Sequence, residues 1–194
     1  VYKRQEILQH PFLLANQVGA NDDLLFDGCS LVAWPNGTVV IAPAWQEGVL
    51  LVDIDRPENS KWVGMEAEDA LSVGTDSLKI LGPDSDGSED LDSLIEDITD
   101  AVITGLADYC RKSGITQIVL GLSGGIDSAV AACVACAAVG PGNVLGIAMP
   151  SRFSSQHSLD DAKYTAEALG MEFKIQPIDE MHSALEGQIT EVLD

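Results

Sequence analysis

The residue types best suited to chemistry are gathered in one short segment. An apolar run precedes this segment and an alanine-rich run follows it, so we expect it to join a buried strand to the first turn of a helix. Adjacent glycines let the backbone turn tightly, and the first N–H groups of a helix, together with serine hydroxyls, can donate to an anion. We therefore predict a phosphate-binding loop, here called the phosphate loop, formed by Gly121, Leu122, Ser123, Gly124, Gly125, Ile126, Asp127 and Ser128.

The phosphate loop fits neither of two common glycine-rich nucleotide motifs. It lacks the Gly-Lys-Ser/Thr of a Walker A loop and the Gly-x-Gly-x-x-Gly of a dinucleotide fingerprint. Without a lysine, the carboxylate of Asp127 would repel a polyphosphate unless a hard cation stood between them. We therefore expect Asp127 to be the ligand of a Mg²⁺ ion that accompanies the phosphates.

The chain around the phosphate loop predicts alternating strands and helices. The apolar run 117–122 is typical of a parallel strand that is buried on both faces. The βαβαβ order implies an α/β fold with a parallel sheet. The pattern after the loop predicts a helix over 126–139, a strand over 144–149, a helix over 159–169, a strand over 172–178 and a further helical pattern up to Asp194.

An amphipathic helix is expected before the first of these strands, over about 89–112. Apolar residues recur there at steps of three and four, and the first turns are acidic. Arg111 and Lys112 lie in the last turn, as the helix dipole favours, and Gly114 supplies a stop signal.

The stretch from Phe12 to Asp55 carries a β-rich pattern. Short apolar runs separated by turn residues predict strands near 12–16, 29–34, 38–42 and 49–54, and residues 35–37 would close a hairpin between the middle two. Residues 56–90 lose this periodicity, and positions 84–100 hold eight acidic side chains and no basic one. We predict a solvated acidic linker over 56–90.

Two sets of segments carry a resemblance to a known family. Ser-Gly-Gly-Ile-Asp-Ser after an apolar strand resembles the PP-loop of ATP pyrophosphatases, whose adenine nucleotide alpha hydrolase-like fold has a doubly wound parallel sheet. Wider stretches are similar to bacterial glutamine-dependent NAD⁺ synthetase, namely 108–112, 120–128, 149–152 and 157–162. Residues 15–19, 22–23 and 26–28 resemble the C-terminal part of the nitrilase-type glutaminase domain that precedes the synthetase in that family.

The resemblance implies a division of the chain and an activity. Residues 1–55 would end a nitrilase-type β-sandwich, 56–90 would be the linker, and 91–194 would begin the ATP-binding domain. The intact enzyme would be a C–N ligase that adenylates deamido-NAD⁺ with ATP and Mg²⁺, amidates it with ammonia from glutamine, and releases AMP and pyrophosphate. Met149 would lie near adenine, and the intact enzyme is expected to be a homo-oligomer.

The resemblance also implies what this chain lacks. In the family a glutamate, a lysine and a nucleophilic cysteine hydrolyse glutamine, and all three precede the segment matched by residues 15–19. We therefore expect no catalytic residue in this chain. We also expect a fragment that starts at Val1, is cut at both ends and is inactive alone.

Composition argues against two classes of partner. Ten Lys and Arg residues oppose 31 Asp and Glu residues, and the net charge of −21 repels both nucleic acid and anionic lipid. The sequence has no run of 18 apolar residues and no signal-peptide pattern at its start, and its four cysteines do not suggest a disulfide scaffold. We expect a cytoplasmic protein.

Alternatives to the enzyme interpretation remain open at this point. The phosphate loop could be a structural strand-to-helix turn with no ligand. The chain could be an ATP-binding module or an inactive piece, or it could come from another PP-loop amidotransferase such as a GMP or asparagine synthetase.

Other reactive residue types have simpler interpretations. Cys29, Cys133 and Cys136 are interpreted as packed thiols, because no partner completes a nucleophile or a metal site. Ser158 is interpreted as the cap of the helix at 159–169, with Asp161 as its capping-box partner and His157 in the approach to the cap.

Overall fold

A computed structural model of the chain describes residues 9–65, 71–74, 79–81 and 91–193. The chain divides into two compact units, Val1–Gly105 and Leu106–Asp194. The boundary between them falls inside one helix, α1, which spans Leu91–Ser113. The predicted domain limits at 55 and 90 stay a prediction.

The first unit contains short antiparallel strands. They form a four-stranded sheet in the order β1-β4-β5-β9, a three-stranded sheet in the order β6-β7-β8, and the two-stranded pair β2-β3. The strands are β1 (Phe12–Leu14), β2 (Val18–Asn21), β3 (Leu24–Asp27), β4 (Leu31–Ala33), β5 (Val39–Ile41), β6 (Gly48–Leu51), β7 (Lys61–Met65), β8 (Leu71–Gly74) and β9 (Lys79–Leu81). The four strands expected from the sequence are confirmed as β1, β4, β5 and β6.

The predicted hairpin between β4 and β5 is confirmed. Ala33 pairs with Val39, and the Trp34 N–H donates to the Thr38 carbonyl over 2.8 Å across the turn. Gly37 adopts a φ of +87°. Glycine reaches this conformation without strain.

The predicted linker over 56–90 is wrong where strands β7, β8 and β9 lie. β7 pairs with β6, and β9 pairs with β5, so this stretch supplies strands to both larger sheets. These strands have three to five residues and polar neighbours, which leaves too few positions for a period of two to show. Residues 82–90, with the first part of the acidic run, lie outside the described residues.

The core of the first unit joins residues from both larger sheets. Val32, Trp34 and Val40 are buried together, and Leu50 and Val52 pack against them. The indole Nε1 of Trp34 donates to the Ile54 carbonyl over 2.8 Å, so its polar atom is satisfied inside this cluster. The β-rich region therefore has a small core of its own.

The second unit has the predicted alternating order. The parallel sheet runs β10-β11-β12, with Ile118 opposite Val144 and Leu145 opposite Glu172. Its elements after α1 are β10 (Ile118–Gly121), α2 (Ile126–Val139), β11 (Val144–Ala148), α3 (Gln156–Leu169), β12 (Glu172–Ile175) and α4 (Asp179–Leu193). The α/β class with a parallel sheet is thus confirmed.

Helix α1 ends as the sequence predicts. Gly114 has a φ of +68°, and the Ile115 N–H donates to the Cys110 carbonyl over 2.9 Å, which closes the last turn. A glycine in this conformation is a common way for a helix to end. The amphipathic pattern of α1 covers less core than expected, because Leu91 and Ile98 of its first turns are 70% and 55% exposed.

Helices α2 and α3 cover one face of the parallel sheet. Leu122, Ala132, Ala162 and Val144 are among the residues buried there. The expectation that strand β10 is buried on both faces is wrong, because Val119 on the opposite face is 62% exposed. A strand of a parallel sheet is buried on both faces when helices pack on both faces of the sheet, whereas α2 and α3 pack on one face.

The start of α3 also differs from the prediction. The cap is Ser155 and not Ser158, since the Ser155 hydroxyl accepts from the Ser158 N–H over 3.1 Å and the helix begins at Gln156. His157 lies inside the first turn, where its Nδ1 is 2.8 Å from an oxygen of Asp161. Three serines lie near this end of the helix, and serine is a favoured N-cap residue, so the sequence alone could not show which of them is the cap.

Within the described part of the chain, no helix combines the length and the apolar character that crossing a bilayer requires.

Candidate phosphate-binding site

The phosphate loop connects the end of β10 to the start of α2, as predicted. The Leu122 N–H donates to the Ile147 carbonyl over 2.9 Å, which ties the start of the loop to β11. The Leu122 side chain is 1% exposed and belongs to the core, so its role in the loop is limited to its backbone. The loop therefore leaves the sheet at its carboxyl edge, from a fixed position.

Gly124 lets the loop pack on the first turn of α3. Its φ is +78°, and a Cβ at this position would lie 2.1 Å from the backbone oxygen of Ser158. No L-residue with a side chain could occupy this position without moving α3. Glycine is required at this position for two reasons: its φ is positive, and the backbone of Ser158 is too close for a side chain.

Two serine hydroxyls hold the loop in shape. The Ser128 Oγ donates to the Gly125 carbonyl over 2.9 Å and accepts from the Ser123 N–H over 3.2 Å. The Ser123 Oγ accepts from the Gly125 N–H over 3.2 Å and lies 3.1 Å from the Ser128 Oγ. Both hydroxyls thus make bonds within the loop, although the sequence suggested them as donors to a ligand.

The remaining donors of the loop are backbone groups at the start of α2. Gly125 is the N-cap, with no side-chain cap bond, and Ile126, Asp127 and Ser128 form the first turn. N–H groups of a first turn have no acceptor inside the helix, and the helix dipole adds positive potential there. This end of α2 can therefore accept an anion such as phosphate.

Asp127 is exposed in this first turn. The described residues contain no group of three His, Cys, Asp or Glu side chains that could enclose a metal ion. A Mg²⁺ ion is usually held by one or two carboxylates together with phosphate oxygens, so a single exposed carboxylate beside an anion site fits this ion. The predicted metal role of Asp127 stays a prediction.

A cleft of about 440 Å³ opens at this edge of the sheet. Of the nine residues predicted to bind the nucleotide, Gly121, Leu122, Ser123 and Met149 line it. The other five, Gly124 to Ser128, are not among its lining residues. The cleft and the start of α2 are thus neighbouring parts of one region, joined by Ser123.

Sequence reasoning missed eight of the twelve residues that line the cleft. Two of them, Ile147 and Ala148, end β11. The other six lie in the connection from β11 to α3 and in the first turns of α3, namely Pro150, Phe153, Ser154, Ser155, Ser158 and Leu159. The signal was available, since the carboxyl ends of neighbouring parallel strands meet at one edge, where ligands of open α/β sheets bind.

In the first unit, two segments that carry the resemblance contact each other. The Asn16 Nδ2 donates to the Asp27 Oδ1 over 2.9 Å, and the Gly28 N–H donates to the Gln17 carbonyl over 2.9 Å. Gly28 has a φ of +79°. The side chains of Asn16 and Asp27 therefore have a structural role, because their hydrogen bond joins the two segments.

Cys29 has the environment of an unreactive thiol. Burial, followed by the nearby carboxylate of Asp27, raises the pKa of the Cys29 thiol to about 11. The thiolate is the nucleophilic form, so Cys29 is poorly suited to attack a substrate near neutral pH. The interpretation of Cys29 as a packed thiol agrees with this.

The two cysteines of α2 differ from each other. Cys136 is buried, with its Sγ 3.7 Å from the Sδ of Met171, as expected for a packed thiol. Cys133 is exposed, so its interpretation as a packed thiol is wrong. An alanine-rich helix has no clear polar face from which the sequence could separate them.

Comparison with protein families gives a match for the second unit. The model of the NAD synthase family matches residues 98–193, which include the phosphate loop and the cleft. The parallel sheet and its helices therefore correspond to an NAD synthase domain.

Curated relatives match almost the whole chain. The glutamine-dependent NAD(+) synthetase of Rhodobacter capsulatus is 42% identical over 184 residues, which cover 94% of this chain and 30% of the relative. That of Aquifex aeolicus is 40% identical over 182 residues, covering 87% of this chain and 32% of the relative. The chain thus spans about 30% of the length of the curated relatives it matches.

A solved structure shows the same likeness. The glutamine-dependent NAD+ synthetase from Acinetobacter baumannii, in complex with adenosine diphosphate, matches with a TM-score of 0.73 at 27% identity. The match covers 98% of this chain and 32% of that protein, so both units of the chain have counterparts in it.

Proposed function

We propose that the second unit of this chain binds the ATP used by a glutamine-dependent NAD(+) synthetase. The premise is that the chain is a homologue of these synthetases over most of its own length. The relative from Acinetobacter baumannii was solved with adenosine diphosphate, which supports nucleotide use. None of these relatives is a GMP or asparagine synthetase, which leaves those alternatives without support.

The activity proposed for the intact protein is formation of a C–N bond. ATP would adenylate deamido-NAD⁺ with release of pyrophosphate, and ammonia drawn from glutamine would then displace AMP. We assign no catalytic residue within this chain, and we propose that the chain alone binds nucleotide without completing the reaction. Residues 1–55 would belong to the glutaminase part and residues 91–194 to the synthetase part.

One observation carries this proposal. A helix start with free backbone donors lies beside a cleft at the carboxyl edge of a parallel sheet, and its glycine packs directly on the next helix. The N–H groups of Ile126, Asp127 and Ser128 would hold the pyrophosphate part of ATP. The hydroxyls of Ser123 and Ser128 would preserve the loop geometry, and each could donate to a phosphate only by exchanging a bond within the loop.

Asp127 would hold Mg²⁺ beside these donors. The ion supplies positive charge that neutralises the phosphates and the leaving pyrophosphate. The protein contributes a carboxylate whose position is set by the first turn of α2, so the anion site and the cation ligand are built on one rigid element.

Met149 is proposed to lie near the adenine. It follows β11, is 53% exposed and lines the cleft. A Cβ on Gly121 would lie 3.4 Å from the Met149 Cε, so the end of this side chain lies beside the last residue of β10. The thioether thus offers an apolar surface for a planar base.

Three further properties are proposed for the intact protein. It would be cytoplasmic, it would form a homo-oligomer, and it would act on small molecules and not on nucleic acid or membranes. The net charge of −21 supports the last statement.

The test compares two first-turn carboxylates. Asp127→Asn is expected to weaken ATP binding by about tenfold in the presence of Mg²⁺ and to have little effect in EDTA, since the carboxylate acts through the ion. Asp92→Asn is the control, because Asp92 occupies the first turn of α1 and loses the same interaction with a helix dipole. Calorimetric titration of the full chain with ATP, with and without Mg²⁺, measures both.

Two outcomes would refute the proposal. If the unmodified chain does not bind ATP in Mg²⁺, the assignment of the cleft is wrong. If the unmodified chain binds ATP, and the ATP affinities of Asp127→Asn and Asp92→Asn depend on Mg²⁺ to the same extent, the ion has another ligand.

A further inference from the structure

The connection from β11 to α3 contains a tight turn over residues 151–154. The Ser154 N–H donates to the Ser151 carbonyl over 2.9 Å, and the Ser151 N–H donates to the Ser154 Oγ over 3.0 Å. Arg152 and Phe153 lie at the centre of the turn. Phe153 lines the cleft and is 76% exposed, so its orientation depends on how the turn is held.

The turn is held by α4 through Arg152. The backbone N–H of Arg152 donates to the Asp179 Oδ1 over 2.7 Å, and its Nη2 donates to the Glu186 Oε2 over 2.5 Å. The same Nη2 is 3.2 Å from the Nδ1 of His182. One residue of the turn therefore contacts three residues of a helix that follows the next strand.

Two of these residues also contact the Phe153 ring. The guanidinium carbon of Arg152 lies 5.1 Å from the ring centroid. This distance is within the range of a cation–π contact. The His182 ring lies edge-on to Phe153, with 6.0 Å between centroids and 74° between planes, an arrangement that aromatic pairs favour. The contacts that hold the turn thus also orient the ring.

The ion pair of Arg152 and Glu186 can hold the turn in position, but it contributes little to the stability of the fold. Their side chains are 46% and 52% exposed. Exposed ion pairs contribute little to the free energy of folding. The hydrogen bond from Arg152 nevertheless lowers the pKa of Glu186 from its ordinary value, so the carboxylate stays charged beside the guanidinium.

We infer that Arg152 and Glu186 are positioning residues of the cleft, and that their ion pair fixes the turn so that the Phe153 ring faces the nucleotide. The inference rests on the proposed function for the identity of the ligand. The orientation of Phe153, in contrast, is a property of the chain itself and can be measured without a ligand.

The first experiment reads the orientation of Phe153 directly. The full chain is labelled with 4-fluorophenylalanine, and Phe153→Leu identifies the fluorine resonance of Phe153. Glu186→Ala is expected to shift this resonance and to leave that of Phe173 in place. Glu180→Ala, which removes an exposed carboxylate from the same helix, is the control and is expected to shift neither.

The second experiment measures ATP binding in Mg²⁺. Glu186→Ala is expected to weaken affinity about two- to fivefold, the size of effect that loss of an exposed ion pair allows, with an unchanged thermal midpoint. Arg152→Glu and Glu186→Arg are each expected to do the same. The double variant, which restores the pair with reversed charges but not the contact of the guanidinium with Phe153, is expected to recover part of the affinity.

Three results separate the possible failures. An unchanged Phe153 resonance in Glu186→Ala overturns the inference, because the turn is then held without the pair. A double variant that binds ATP no better than the single variants also overturns it, since the ligand then needs the charge of Arg152 itself. A chain that shows the resonance shifts but binds no ATP refutes the proposed function and leaves the positioning of Phe153 in place.

Discussion

The backbone oxygen of Ser158 occupies the space into which a side chain on Gly124 would project. A Cβ there would lie 2.1 Å from that oxygen, and the φ of Gly124 is +78°. Such a φ is already unfavourable for any residue but glycine. The phosphate loop and the first turn of α3 are therefore in direct contact, and the geometry of each depends on the other.

Substitution of Gly124 should be severe. Gly124→Ala is expected to lower the free energy of unfolding by about 2 kcal/mol or more, because it adds backbone strain and a clash with backbone. Gly142→Ala is the control, since a Cβ at Gly142 would meet nothing within 4 Å. Urea denaturation followed by circular dichroism measures both, and equal midpoints would contradict the contact.

The hydroxyl of Ser128 should matter more for the loop than an ordinary helix hydroxyl. Ser128→Ala removes the acceptor of the Ser123 N–H and the donor to the Gly125 carbonyl. Loss of such bonds typically costs about 1 kcal/mol each, and the freed loop should also bind ATP less tightly. Thr99→Ala removes a hydroxyl that donates to the Ile95 carbonyl in α1, and it should leave ATP affinity unchanged. Calorimetric titration with ATP measures both variants, and equal affinities would contradict the role of Ser128.

Cys29 should react slowly with iodoacetamide below pH 9. Its pKa is raised from 9.0 to about 11, first by burial and then by Asp27, so the folded chain favours the protonated thiol. The stability that this preference contributes is complete below pH 9 and is lost as the pH rises through about 11. Peptide mass spectrometry after timed alkylation should show Cys29 labelling accelerating over this interval.

Cys133 is the internal control of that experiment, because it is exposed. Labelling of Cys29 at pH 7.5 as fast as that of Cys133 would show that its surroundings do not suppress the thiolate.

Hydrogen exchange should distinguish the two units. Amides of β11 lie between two neighbouring strands and should exchange slowly. Amides of β2 and β3 belong to a two-stranded pair in which Leu24 and Leu25 are 60% and 47% exposed, and they should exchange faster. Protection of β2 and β3 equal to that of β11 would contradict this and would mean that these strands are as stable as the parallel sheet.

The elements nearest the phosphate loop were predictable because local signals and long-range packing agree there. The boundaries of α2 follow from an alanine-rich run with Gly125 before it and Gly140 after it. The position of the loop follows from the strand that precedes it. Gly124 could be recognised as a glycine needed by the loop, but its contact with Ser158 could not, because that contact depends on where α3 packs.

The errors have a common physical origin. Strands β7 to β9 are too short to show a period, and tertiary pairing with β5 and β6 decides their conformation. The cleft residues around Phe153 lie in a connection whose shape depends on α4, which begins only at Asp179. Contacts such as those of Arg152 leave no pattern in the local sequence.

The strand orders have a consequence for how the chain assembles during synthesis. In the second unit, β10, β11 and β12 are neighbours in the same order in which the ribosome makes them, so each new strand can join an edge that already exists. In the first unit, β9 pairs with β5 only after three intervening strands have been made. The four-stranded sheet therefore cannot be completed before β9 is synthesised, and until then the edge of β5 that pairs with β9 stays unpaired in the nascent chain.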